Sequence, residues 1–136
     1  MFLDDITIQT LTASLRGHNA RNTALANNIA NAETPGYKRA DVSFEAALAE
    51  AVASDRAKLN RGTGMLTPLG SQRANATGEV GPSVRSVDTT TMRVDGSNVD
   101  PDDEMAQLSS NLLAHQTVVS LLDKRFSQFR MAIQGR

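Results

Sequence analysis

The chain has 136 residues, of which 40% are hydrophobic and 21% charged, with a formal net charge of -1 and no cysteine. A chain of this size fits one small domain with a thin core, and its near-neutral charge gives no general attraction for nucleic acid or an anionic membrane. The lack of cysteine excludes disulfides and thiolate metal sites. We therefore expect its partners to be proteins.

The first predicted element is an amphipathic helix that begins near Asp4 and ends near Asn31 or Ala32. Its inward-facing residues recur alternately three and four apart, which is the spacing of a heptad packing seam. These residues are Ile8, Leu11, Leu15, His18, Asn22, Leu25 and Ile29. We predict that His18 is a packed, hydrogen-bonded seam residue rather than a metal ligand or catalytic group. A glycine inside a helix is costly, so Gly17 indicates a close contact or a slight bend.

A turn is predicted directly after this helix. Pro35 disfavours the helical conformation at Thr34. The run Thr34-Pro35-Gly36-Tyr37 has proline and glycine at the two central places of a type II turn. The chain therefore changes direction here.

Beyond the turn, the sequence predicts a short alanine-rich helix from Asp41 to Val52, capped by Asp41 or Ser43, with Phe44 and Leu48 on its apolar face. Residues 56–99 then contain many glycines and small polar residues. That composition predicts a loop-rich segment, partly extended or disordered, in which residues 83–94 form a short hairpin or an extended arm.

A second long helix is predicted to begin at Asp100, which is placed to act as the N-cap, with Pro101 at the first helical position. Its apolar periodicity continues almost to the end of the chain. The predicted seam consists of Met105, Leu108, Leu112, His115, Val119, Leu122, Phe126, Phe129 and Ile133.

The predicted fold is mainly α. Two long terminal amphipathic helices, within residues 1–32 and 100–136, form a coiled-coil-like domain, and residues 33–99 supply the turn, the short helix and the loop-rich middle. The sequence has no arrangement typical of catalysis, so we predict no enzyme, metal or cofactor. Two interpretations remain: a subunit of a filament-like assembly, or a soluble helical binding module such as a secretion chaperone.

Two stretches give the first interpretation a family resemblance. The run from Asn28 to Tyr37 resembles the amino-terminal signature of the bacterial flagellar rod, hook and hook-associated proteins. Its signature positions are Asn28, Ile29, Ala30, Asn31, Thr34, Pro35, Gly36 and Tyr37. The run from Asn98 to Met105 resembles the entry to the carboxy-terminal helix of this family, although His115 stands near a position where the family often has an aromatic residue.

The lack of a large central domain and the ending from Leu121 to Ser127 are most similar to the proximal-rod members, two of which stay as alternatives. The resemblance implies a noncatalytic drive-shaft subunit that polymerises through its terminal helices and transmits torque. It implies export by the flagellar type III apparatus, without a cleavable signal peptide, to the rod in the periplasm. Its implied partners are other rod subunits, the rod-to-membrane-ring adaptor and the export gate, with no nucleic acid, cofactor or membrane insertion.

The resemblance also assigns roles to residues. Subunit packing falls to the apolar seam residues of both terminal helices. Phe44 and Leu48 form a Phe-x-x-x-apolar pair that resembles the motif by which rod and hook substrates are recognised at the export gate. The alternative is that this pair only anchors the short helix against the terminal helices.

Overall fold

The computed structural model describes residues 6–61, 77, 80–88 and 96–135. These residues form, in chain order, helix α1 (Ile6–Ala30), strand β1 (Ala40–Ser43), helix α2 (Glu45–Arg61), strand β2 (Ser83–Ser86) and helix α3 (Pro101–Gln134). The prediction of a mainly helical fold, with two long terminal helices and a shorter one between them, is confirmed.

Helices α1 and α3 pack against each other in antiparallel orientation. Asn28, near the end of α1, contacts Glu104 in the first turn of α3. His18, further toward the start of α1, contacts Asn111, further along α3. Strand β1 and helix α2 pack on α1 beside this helical pair, and β2 pairs with β1. The two terminal helices therefore form the central pair on which the other elements are arranged.

The predicted end of the first long helix and the predicted start of the second agree closely with the structure, whereas the predicted start near Asp4 lies outside the described residues. Asp100 has an extended backbone and its side chain accepts a hydrogen bond from the Asp102 amide at 3.0 Å, with Pro101 at the start of α3. At the end of α1, Gly36 has a φ of 74° and the Tyr37 amide donates to the Thr34 carbonyl at 3.2 Å. A positive φ at the third residue is what a type II turn requires, so the predicted turn is confirmed.

The prediction for the segment after the turn was wrong at its start. Asp41 and Ser43 do not cap a helix but lie in β1, which pairs antiparallel with β2. Helix α2 begins at Glu45, whose carboxylate accepts a hydrogen bond from the Phe44 amide at 3.2 Å. The strand depends on a partner far away in the sequence, so local capping signals could not reveal it.

The predicted loop-rich segment also begins too early, because α2 continues to Arg61. Residues 56–61 include good helix formers and contain neither glycine nor proline, so nothing local ends the helix before Gly62. The predicted hairpin or arm at residues 83–94 is an extended strand at Ser83–Ser86 that pairs with β1. The other residues of the loop-rich segment lie largely outside the described ranges.

The core sits where β1 and α2 meet α1. It contains Ala13, Ala24, Val42, Phe44 and Leu48. The Phe44 ring lies directly on Gly17, where any Cβ atom would overlap the ring, and the His18 ring meets it edge-on with centroids 5.1 Å apart. The close contact predicted at Gly17 is therefore confirmed, and its partner is Phe44.

Candidate functional site

The two stretches that carry the family resemblance meet in space. Asn28 and Glu104 are almost fully buried, with exposed fractions of 0% and 1%. The Asn28 amide nitrogen donates to a Glu104 carboxylate oxygen at 2.9 Å, and the Arg39 Nε lies 3.0 Å from the other oxygen. We call Asn28, Arg39 and Glu104 the signature cluster. It joins the end of α1 to the start of α3.

Asn28 also completes the hydrogen bonding of β1. Its side-chain oxygen accepts from the Ala40 amide at 2.8 Å, and its side-chain nitrogen donates to the Ala40 carbonyl at 2.9 Å. The Tyr37 hydroxyl donates to the same oxygen at 3.3 Å. An asparagine side chain carries one acceptor and one donor group, like a peptide unit, and so can take the place of a neighbouring strand.

A second asparagine joins the other stretch to the residues that follow the turn. Asn98 is 2% exposed. Its side-chain oxygen accepts from the Arg39 amide at 2.8 Å and its side-chain nitrogen donates to the Val87 carbonyl at 2.6 Å. Lys38 Nζ donates to the Gly96 carbonyl at 2.9 Å. Asn98 and Glu104 lie in the stretch that carries the resemblance, but the sequence did not predict their contacts with Asn28 and Arg39.

A second polar cluster lies further along the helical pair. Asn111 is 4% exposed, and its side-chain oxygen lies 2.6 Å from His18 Nδ1. Its side-chain nitrogen donates to the His18 carbonyl at 2.9 Å and to the Asn22 side-chain oxygen at 2.7 Å. We call His18, Asn22 and Asn111 the seam cluster. The prediction that His18 is a packed, hydrogen-bonded residue is confirmed, whereas Asn111 was missed because it falls outside the apolar periodicity.

The remaining signature positions are less buried than Asn28. Ile29 and Asn31 are partly buried, and Ala30, Thr34, Pro35 and Gly36 are exposed. The structure therefore brings Asn28 and Tyr37 together and leaves the tip of the turn at the surface.

The predicted seam of α1 faces inward. Ile8 and Leu25 are buried, and Leu11, Leu15 and Ile29 are partly buried. These five residues lie on the side of α1 that also carries His18 and Asn22, the partners of Asn111.

The predicted seam of α3 divides into two rows with different surroundings. One row, the central stripe, is partly buried and consists of Leu108, His115, Leu122 and Phe129. The other row, the outer stripe, is exposed and consists of Met105 at 49%, Leu112 at 49%, Val119 at 36%, Phe126 at 41% and Ile133 at 76%. On the opposite flank of the central stripe is an inner stripe of Glu104, Asn111, Val118 and Arg125, which are buried or partly buried. Helix α3 thus turns its polar flank toward α1.

Helix α3 also extends past the described part of α1. Since Asn28 pairs with Glu104 in an antiparallel pair, Ile6 lies opposite a point about 22 residues beyond Glu104. The last turns of α3, from about Phe126 onward, project beyond that point. They carry an open groove lined in part by Phe126, Phe129 and Ile133.

The residues proposed for recognition at the export gate lie inside the folded protein. Phe44 and Leu48 are 3% and 8% exposed. Arg21 holds this segment on α1: its Nη2 donates to the Val42 carbonyl at 2.7 Å and its Nη1 pairs with Glu45 at 2.5 Å. The hydrogen bond from Arg21 lowers the pKa of Glu45 from its ordinary 4.5 to about 2. The anchoring role of Phe44 and Leu48 is visible, and their recognition role stays a prediction.

Among the described residues, no helix combines the length and the apolar character needed to cross a membrane.

Comparison with known proteins identifies relatives along nearly the whole chain, although no protein-family model matches it. The chain is 33% identical to the flagellar basal body rod protein FlgB of Cereibacter sphaeroides over 98% of its own length and 97% of the relative. It is 30% identical to the FlgB of Bacillus subtilis over 95% and 94%, and 32% identical to that of Salmonella typhimurium over 85% and 83%.

These relatives define the class of protein as a structural component of the flagellar rod. The chain belongs to the family of the flagellar basal body rod protein FlgB. Of the two proximal-rod alternatives, the comparisons support this one.

Proposed function

We propose that this chain is a noncatalytic building block of the proximal rod, which polymerises through its terminal helices and transmits torque from the motor toward the hook and filament. In this proposal the helices within residues 1–32 and 100–136 form the inner-tube domain of the rod. The subunit works in the periplasm and reaches it through the flagellar type III apparatus. Its partners are other rod subunits, the rod-to-membrane-ring adaptor and the export gate.

The observation that carries this proposal is the exposed outer stripe of α3. Five apolar side chains recur every seven residues along one side of the helix and point away from α1. A contiguous exposed apolar row of this kind marks an interaction surface, and its spacing fits packing against another helix. Membership of a rod family makes neighbouring rod subunits the partners that this surface fits.

The test is assembly with charges placed on and off the outer stripe. Replacing Leu112 by Asp adds a charge that stays hydrated in the free subunit but is buried without a partner in a packed rod. We expect Leu112→Asp to be secreted normally and to be absent from purified basal bodies. Thr117 lies on the opposite side of α3 and is exposed, so Thr117→Asp is the matched control and should assemble.

Two further substitutions on α3 distinguish residues that pack between subunits from residues that pack within a single subunit. Phe126→Asp should act like Leu112→Asp, because Phe126 is also in the outer stripe. Leu122→Asp should abolish assembly and also destabilise the free subunit. Leu122 is partly buried in the free subunit, so the new charge would lose part of its hydration there. Normal rods containing Leu112→Asp and Phe126→Asp would contradict the proposal.

The secretion-chaperone alternative makes a different prediction for the purified protein. A chaperone binds its export substrate in a fixed ratio and stops, whereas a rod subunit adds to other rod components. Mixing the purified chain with other rod subunits and following sedimentation therefore distinguishes the two functions. Failure to associate with any rod component would overturn the rod proposal.

We also propose that Phe44 and Leu48 are recognised at the export gate while the chain is unfolded. The pair lies four residues apart, so both side chains share one face of a helical turn that a hydrophobic groove can accept. Because both are core residues in the folded subunit, this role requires that recognition comes before folding.

The double variant Phe44→Ala with Leu48→Ala should accumulate in the cytoplasm. Val42→Ala is the matched control, since Val42 belongs to the same core and its truncation weakens the fold without changing the recognised pair. Normal amounts of the double variant outside the cytoplasm would exclude the gate role and leave only the anchoring one.

A further inference from the structure

The side of α3 that faces α1 is not its most apolar side. The apolar periodicity of α3 combines the central and outer stripes, yet the structure buries the central stripe together with the inner stripe, which contains Glu104 and Asn111. Burial of apolar surface alone would favour the opposite choice, because every member of the outer stripe is apolar. Something other than the apolar pattern sets the rotation of α3 about its own axis.

The two settings are close in geometry. Successive helical residues are about 100° apart, so the inner and outer stripes lie roughly 50° to either side of the central stripe. A rotation of about 50° would therefore turn the outer stripe toward α1 and carry Glu104 and Asn111 away from it. The central stripe would stay in the interface in both settings.

The two polar clusters oppose this rotation. Glu104 and Asn111 are one heptad apart on the inner stripe, and each is hydrogen bonded to α1. Rotating α3 would separate Glu104 from Asn28 and Arg39, and would separate Asn111 from His18 and Asn22. Buried polar groups that lose their partners are costly, and single buried polar residues are known to fix the register of paired helices.

We propose that the signature cluster and the seam cluster select the rotational setting of α3, and that they thereby leave the outer stripe free for neighbouring subunits. The first half of this inference concerns the free subunit alone. The second half rests on the proposed function, since it assumes that the outer stripe packs between subunits in the rod.

The test uses disulfide trapping in the full chain, which has no cysteine of its own. One variant carries Leu11→Cys with Val118→Cys and reports the observed setting, because residue 118 is in the inner stripe. A second carries Leu11→Cys with Val119→Cys and reports the rotated setting, because residue 119 is in the outer stripe. The ratio of the two cross-linking rates, measured on dilute protein, gives the preference between settings.

Adding Asn111→Ala to both reporters removes the seam cluster and leaves His18 and Asn22 without this partner in the observed setting. We expect the cross-linking ratio to shift toward the rotated setting by about tenfold, the size expected for the loss of one buried hydrogen-bonded group. Thr117→Ala makes the matched truncation on the opposite side of α3 and should leave the ratio unchanged. Asn111→Asp keeps an oxygen that faces His18 Nδ1 but turns a second carboxylate oxygen toward the His18 carbonyl and the Asn22 side-chain oxygen. It should therefore shift the ratio the same way, again without adding apolar surface.

The outcomes separate the two halves of the inference. An unchanged ratio in both Asn111→Ala and Asn111→Asp, with helicity retained, overturns selection by the seam cluster. A shifted ratio with normal incorporation of Asn111→Ala into rods overturns the link between the setting and assembly. If the unsubstituted chain itself fails to associate with rod subunits, the proposed function fails, whatever the ratio shows.

Discussion

The two ends of α3 lie on one continuous helix but differ in what they contact. At its start, Glu104 is 1% exposed, and its two carboxylate oxygens face Asn28 of α1 and Arg39, which follows the turn. At its end, Ile133 is 76% exposed and Phe126 is 41% exposed, beyond the point that the described part of α1 reaches. The start of the helix is completed within the subunit, whereas its end presents apolar surface.

This difference assigns two tasks to the two ends of α3: the start determines how the terminal helices of one chain fit together, and the end offers surface for contact with another chain. Hydrogen bonds and ion pairs are directional, so the polar clusters at the start of α3 fix how the terminal helices of one chain fit together. Apolar contact is nondirectional, and its free energy grows with the area buried. The exposed end of α3 therefore has apolar area that is still in water in the free subunit and that contact with another chain would bury. The comparison predicts that substitutions at the start should affect folding and that those at the end should affect assembly.

The largest effect on folding is expected from removing Asn28. Asn28→Ala leaves the amide and carbonyl of Ala40 without their side-chain partner and takes one hydrogen bond from the buried Glu104 carboxylate. We expect a loss of about 3 kcal/mol in the free energy of unfolding, measured in urea. The matched control is Asn27→Ala at the neighbouring exposed position, which should cost no more than ~0.5 kcal/mol. Equal losses at the two positions would contradict the role of the signature cluster.

A somewhat smaller loss is expected from filling the space at Gly17. Gly17→Ala places a methyl group into the Phe44 ring, and overpacking of this kind costs about 2 kcal/mol. In a Phe44→Ala background the ring is gone, so the same substitution should instead stabilise the chain by ~1 kcal/mol through its higher helix propensity. Urea unfolding of the unsubstituted chain, the two single variants and the double variant measures this change of sign. The change would show that the loss of stability in Gly17→Ala comes from overlap with the Phe44 ring. A cost that is the same in both backgrounds would point to a cause other than Phe44.

A smaller, pH-dependent effect is expected at Glu45. Its folded-state pKa of about 2 lies below the ordinary 4.5, because Arg21 donates to the ionised carboxylate. The resulting stabilisation is present above about pH 4.5 and is lost as the pH falls toward 2. The free energy of unfolding should therefore fall less steeply over this range in Glu45→Gln than in the unsubstituted chain. Glu50→Gln, at an exposed position on the same helix, should follow the unsubstituted chain.

The sequence predicted the long elements because their signals are local. The N-cap at Asp100, the proline at Pro101 and the turn at Gly36 act within a few residues, and each agrees with the structure. The strand at Ala40–Ser43 was missed because it depends on Ser83–Ser86, far along the chain, and on the side chain of Asn28. Pairings between distant residues leave no periodic signal in either segment.

The polar contacts between α1 and α3 were not predicted for a related reason. A search for apolar periodicity selects Leu112 and passes over Asn111, although the structure buries Asn111 and exposes Leu112. The same sequence did hold a signal, since His18 and Asn22 interrupt the seam of α1 and require polar partners. Pairing those two interruptions with the asparagine on α3 would have indicated the correct face.

The smallest effect on the free subunit is expected at the exposed end of α3, and it completes the comparison with the start. Ile133→Ser removes an apolar side chain that is already 76% exposed, so the free energy of unfolding should change by no more than ~0.5 kcal/mol. Leu108→Ser is the matched control on the same helix: it removes a partly buried residue of the central stripe and should cost more. Incorporation into rods should show the opposite sensitivity, with Ile133→Ser weakening assembly despite a stable subunit, since the apolar contact it removes forms only between subunits. Normal incorporation of Ile133→Ser, together with an unfolding free energy equal to that of the unsubstituted chain, would show that Ile133 makes no contact between subunits and that such contacts stop nearer Phe126.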